Sequence, residues 1–125
     1  MKINVEEKLV RKLEELNYTI SFGESITGGM LASTLVNVSG ASNVLKESYI
    51  TYCNEAKNKI LNVSLNTIDK YSVVSKEVVL EMVQGLRKLT NSNVCACVSG
   101  WASLDDGNRG CAWYAILIND KCIYH

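Results

Sequence analysis

Hydrophobic residues Val5, Leu9, Leu13 and Leu16 recur at steps of four, four and three. Glu6, Glu7, Lys8, Arg11, Lys12, Glu14 and Glu15 fill the other face, which predicts an amphipathic helix over 4–16 that stops at Asn17. Tyr18-Thr19-Ile20-Ser21-Phe22 alternates and is rich in strand formers, so it reads as a strand. Gly23 to Gly29 is a turn, and Met30 to Val36 reads as a buried helix ended by Asn37 to Gly40. Ser48 to Tyr52 is a second strand, Asn54 caps a short helix over 55–61, and 66–71 forms another. Ser75-Lys76-Glu77-Val78 resembles a capping segment for a long helix over 76–90, with Val78, Val79, Met82, Leu86 and Leu89 on one side. Val94 to Val98 is apolar throughout, as a central strand covered on both faces requires. Residues 99–110 form a polar loop, 111–118 a strand, and Asn119-Asp120 turns into 121–124 as a terminal hairpin.

Helices and strands alternate over the first hundred residues, and strands pair at the end. The pattern predicts one α/β domain over 1–125, a three-layer α/β/α sandwich with a mixed sheet. The length of 125 residues fits one domain, and 47% apolar with 21% charged residues excludes disordered and fibrous classes. Thirteen basic residues balance thirteen acidic ones, so the basic surplus of a nucleic-acid binder is missing. No run reaches the ~18 apolar residues of a membrane span, and the first eight residues lack an apolar signal segment. A cytoplasmic location is expected, with the five cysteines as free thiols. The single histidine, His125, is the last residue, so a histidine-based triad or metal site would rest on a chain terminus. Proline is absent, so helix ends must rely on Gly, Asn and Ser.

Three segments carry candidate chemistry. In Gly23-Glu24-Ser25-Ile26-Thr27-Gly28-Gly29, Ser25 sits on a strand-to-helix turn, where a nucleophile would stand. The N–H groups near Thr27, Gly28 and Gly29 suit a phosphate or an oxyanion, and the same residues also fit a plain helix cap. In Tyr52-Cys53-Asn54-Glu55-Ala56-Lys57, Lys57 lies one turn into a helix. A lysine serves as base to a serine if burial or a nearby cation lowers its pKa, and a tyrosine can relay the proton; a solvated helical lysine is the plainer alternative. Glu24 can orient Lys57 or a substrate amide, or stand as a surface charge. In the third segment, 98–110, Arg109 can hold a phosphate or carboxylate and Trp101 can stack on a ring, although a surface loop with one buried aromatic fits as well. Cys95 and Cys97 share one strand face without further paired ligands, so buried thiols are expected there and no metal.

Together these segments resemble the CinA C-terminal domain family. Its A-E-S-C-T-G-G hallmark stands here as residues 23–29, and its G-A-S as Gly40-Ala41-Ser42. Its A-Y-S-N-E-A-K stands as Thr51 to Lys57, and its V-S-x-E-V as Val74 to Val78. Its A-V-T-G stands as Cys97 to Gly100, and its V-G-T-V-W-I-A as Arg109 to Ala115. The resemblance implies a cytoplasmic amidase that deamidates nicotinamide mononucleotide to nicotinate mononucleotide and ammonia in pyridine-nucleotide recycling, without metal or cofactor. It implies Ser25 as nucleophile, Lys57 as base and Tyr52 as a supporting proton relay. Glu24, Thr27, Gly28, Gly29, Asn54, Ser99, Gly100 and Arg109 would surround the substrate, with Ser99 in place of a threonine. Ile26 replaces the motif cysteine, and Gly100 to Leu104 lacks the second glycine and the proline of the family loop. The chain ends at His125, where family members continue into another helix that often brings a substrate-holding basic residue. The alternative is a catalytically inactive module that binds a nucleotide or phosphate, or an interaction domain in competence or damage response. A homodimer through an open edge at 121–124 is a further expectation.

Overall fold

Residues 4–101 and 110–125 are described by the computed structural model, and every predicted element within them forms, with shifted edges. Helix α1 (Val5–Leu16) starts on Asn4, whose side chain accepts from the Glu7 N–H, and buries Val10 and Leu13. Strand β1 (Ile20–Glu24) runs two residues beyond its alternating stretch. Tyr18 is spent on leaving α1, its N–H donating to Leu13, while Glu24 is buried with its carboxylate satisfied from within. Helix α2 (Met30–Val36) is more exposed than its composition suggests, since only Leu35 is buried. Strand β2 (Leu45–Ile50) starts and ends earlier than expected, which leaves Thr51 and Tyr52 in the connection beyond it. In α3 (Asn54–Leu61) the cap is Cys53, and Asn54 is the first helical residue. Helix α4 (Leu65–Tyr71) leads to α5 (Lys76–Thr90), capped by the Ser75 hydroxyl on the Val78 N–H. Strands β3 (Val94–Gly100), β4 (Ala112–Ile118) and β5 (Lys121–Tyr124) complete the chain. In place of proline, Asn17, Asn62 and Asn91 end α1, α3 and α5 in the left-handed conformation that asparagine tolerates.

The sheet order is β2-β1-β3-β4-β5. β2, β1 and β3 are parallel, and β4 and β5 are antiparallel, so the sheet is mixed as expected. Alternate residues of β3 enter opposite cores: Cys95 and Cys97 join α3, α4 and α5, while Val94 and Ala96 join α1 and α2. That is why this strand is apolar on both faces. The second layer leaves an apolar groove of about 530 Å³ between α1 and the β3–β4 face, lined by Leu9, Leu16, Tyr114 and Ile116 among others. All five cysteines are free. Among the described residues no helix is long and apolar enough to cross a membrane.

Close approach of α3 to α5 is set by Gly85. A Cβ there would lie 1.7 Å from the Leu61 carbonyl oxygen, a backbone atom that moves only with its helix. Gly85→Ala is therefore expected to destabilise the fold by about 3 kcal/mol, although alanine is the better helix former. Urea unfolding measures this, and an unchanged midpoint would contradict the packing described.

Candidate active site

Because β2, β1 and β3 are parallel neighbours, their carboxyl ends lie side by side. Ligand sites of open α/β sheets form at such edges. A cleft of about 420 Å³ opens there. Ser25 and Ile26 line it from the end of β1; Tyr52, Asn54 and Lys57 from the β2–α3 segment; Val73 from the loop before α5; Ser99, Gly100 and Trp101 from the end of β3. Seven of the expected site residues thus meet in one place: Ser25, Tyr52, Asn54, Lys57, Ser99, Gly100 and, as a ring-stacking candidate, Trp101. Arg109 lies outside the described residues.

At the floor, Lys57 is 1% exposed. Its Nζ lies 3.1 Å from Ser25 Oγ and 2.6 Å from the carbonyl oxygen of Thr51. Among the described residues no carboxylate pairs with it. Burial lowers its pKa below the ordinary 10.5, and the neighbouring Cys53 opposes this only in part. The plainer reading of a solvated lysine is thereby excluded. As an ammonium Lys57 donates to both oxygens; a neutral lysine has a lone pair that can accept the Ser25 proton instead. Thr51 was not among the expected site residues. Its contribution is a backbone carbonyl, which carries no signal in the side-chain sequence.

Glu24 behaves differently from both expectations. It is fully buried, and its carboxylate turns away from Lys57 toward the start of α2. Oε1 accepts from the Thr27 hydroxyl at 2.7 Å and from the N–H groups of Gly29 and Leu31 at 3.1 and 2.9 Å. Oε2 accepts from the Ala32 N–H at 3.0 Å and from the Ser48 hydroxyl at 3.4 Å. The Gly28 N–H donates to the Ser25 carbonyl. The expected anion site at Thr27, Gly28 and Gly29 is therefore filled from within, because a buried carboxylate already satisfies the helix end. Thr27, Gly28 and Gly29 line no part of the cleft; the two glycines instead supply the left-handed turn, at φ 61° and 107°. Burial pushes the Glu24 pKa up, but the hydrogen bonds from Thr27, Leu31, Ala32 and Gly29 outweigh it and hold the group below 4.5.

Among the described residues the N–H groups of Ile26 and Thr27 have no partner, and they directly follow Ser25. The Ser99 hydroxyl donates to the Val73 carbonyl at 2.9 Å, which ties the loop before α5 to the end of β3. Tyr52 is 74% exposed at the rim, and its hydroxyl bonds to neither Ser25 nor Lys57.

These features define an α/β domain with a serine held against a buried lysine at the carboxyl edge of a parallel sheet. The chain belongs to the CinA C-terminal domain family, which matches residues 2–124. It is 46% identical over 121 residues to a CinA-like protein of Petrotoga mobilis, covering 94% of this chain and 30% of that protein. A CinA-like protein of Fervidobacterium nodosum is 51% identical over 93 residues, covering 74% of this chain and 23% of that one. The chain thus spans less than a third of the length of these curated relatives. A crystal structure of a competence-damaged protein (CinA) superfamily protein from Escherichia coli superposes with a TM-score of 0.91 at 25% identity, covering all of this chain and 79% of that one.

Two expectations follow. Glu24→Gln keeps the size but weakens the bonds to the α2 amides, so it should destabilise the fold at neutral pH by about 2 kcal/mol. Because the Glu24 pKa is lowered on folding, its stabilisation is present above 4.5 and is lost as pH falls through the folded value. The gap between parent and variant in urea unfolding should then shrink in acid; a constant gap would refute the role. For Lys57 the sign reverses. Its folded pKa is also lowered, but here the charged form is the disfavoured one, so the parent gains stability as pH rises toward 10.5. Lys57→Met should lack that rise, and parallel pH profiles would contradict the burial argument.

Proposed function

We propose that the protein is an amidohydrolase that deamidates nicotinamide mononucleotide to nicotinate mononucleotide and ammonia. The observation that supports this most is Lys57, buried without a counter-charge and 3.1 Å from Ser25 Oγ. The substrate is the one implied by the resemblance, and the reading asks for no metal or cofactor. Ser25 Oγ attacks the carboxamide carbon while its proton passes to Lys57 Nζ. The N–H of Ile26, which lines the cleft and has no partner among the described residues, is assigned to the oxyanion. As the oxyanion collapses, the C–N bond breaks and Lys57 returns the proton to the leaving nitrogen, releasing ammonia. Water then gives a proton to Lys57 and attacks the Ser25 ester; as the acyl–Oγ bond breaks, Lys57 returns that proton to Ser25 Oγ and the acid is freed. Since the Tyr52 hydroxyl bonds to neither partner, the dyad carries the proton by itself in this reading.

Holding an ammonium out of water opposes folding, and a lysine whose pKa is lowered in a cleft supports the catalytic reading over the binding module. Ammonia release from nicotinamide mononucleotide is expected for the parent. Ser25→Ala and Lys57→Ala should each lower it at least about a thousandfold with the fold intact by circular dichroism. A folded parent that binds the nucleotide without releasing ammonia would overturn the amidase reading and favour the binding module.

A further inference from the structure

We propose that Tyr52 and Trp101 form an aromatic clamp that selects a flat ring beside the Ser25–Lys57 pair, with Trp101 as a specificity-determining residue. The inference rests on the amidase reading for its chemistry, while the clamp itself is a claim about binding.

The argument begins with topology. Ser25 follows β1, the middle of three parallel strands; Tyr52 lies just beyond β2 on one side, and Trp101 follows β3 on the other. Neighbouring strands lie ~4.8 Å apart, so β2 and β3 are separated by about 10 Å across β1, at whose end Ser25 stands. Stacked rings sit ~4.5–7 Å from centroid to centroid, so one planar ring fits between the two walls. Both residues line the same cleft as Ser25 and Lys57. Trp101 is half-buried, and its N–H donates to the Cys111 carbonyl at 2.9 Å, which fixes its backbone beside the start of β4. Tyr52 presents its ring at the rim, 74% exposed and with no part in either core.

The cleft chemistry points the same way. Ile26 and Val73 add apolar wall, and the only titratable described side chains lining the cleft are Tyr52 and Lys57. Lys57 is engaged by Ser25 and Thr51. Such a site offers little to the charged ends of an amino-acid amide and much to the faces of an aromatic carboxamide.

Benzamide and cyclohexanecarboxamide test this, since they share size and amide but only one is flat and aromatic. Their affinities are read by NMR titration of Ser25→Ala, which removes turnover from the measurement. Benzamide should bind about tenfold more tightly, Trp101→Ala in that background should erase the preference, and Trp101→Phe should restore most of it. Equal affinities, a preference that survives Trp101→Ala, or no benzamide binding up to its solubility limit would each overturn the clamp. A preference for benzamide in a protein that releases no ammonia would leave the clamp standing and remove the amidase reading. Ammonia release without the preference would do the reverse.

Discussion

A lysine ammonium removed from water and given a hydroxyl and a carbonyl for company is the constraint around which the cleft is arranged. Lys57 would be stabilised in its charged form by any carboxylate close to it, and Glu24 is the obvious candidate, one residue before Ser25. The fold instead turns the Glu24 carboxylate onto the start of α2, where it receives three amide and two hydroxyl donors. The same backbone links the two groups, since the Glu24 carbonyl accepts from the Thr51 N–H and the Thr51 carbonyl accepts from Lys57. One carboxylate thus holds the turn that carries Ser25 while leaving Lys57 without a counter-charge. Burial lowers the lysine pKa, and among the described residues no carboxylate pairs with it to raise it again.

Reaching Ser25 from α3 also depends on how low that helix sits. Gly85 lets the α3 backbone approach α5, and Gly23 leaves room on β1 for Leu61 and Cys97, which a Cβ would meet at 3.1 and 2.7 Å. Two missing side chains therefore set the height of the helix on which Lys57 is carried. Packing and the proposed chemistry are coupled here: a shift of α3 by one ångström changes the 3.1 Å contact on which the proposed proton transfer rests.

Much of this was legible in the sequence, for identifiable reasons. Helices α1 and α5 declare themselves by apolar periodicity, and α5 also by its cap at Ser75. The apolar run at 94–98 marks a strand between two cores. With His125 the single histidine, serine and lysine were left as the plausible pair, and the structure brings Ser25 and Lys57 together. Glu24 was not legible, because a carboxylate at a turn reads alike whether it faces substrate, solvent or a helix end. Thr51 was hidden because a carbonyl is common to every residue. The exposure of α2 was hidden because Met30 and Val36 are apolar yet lie outside its single buried contact.

The most direct test of a lysine base is the titration of Lys57 itself. Its Nζ resonance, identified by its loss in Lys57→Met, can be followed by NMR as pH is raised. The account predicts a midpoint clearly below 10.5. A midpoint at or above that value would show an ordinary ammonium at the floor of the cleft and contradict its role as the base that activates Ser25.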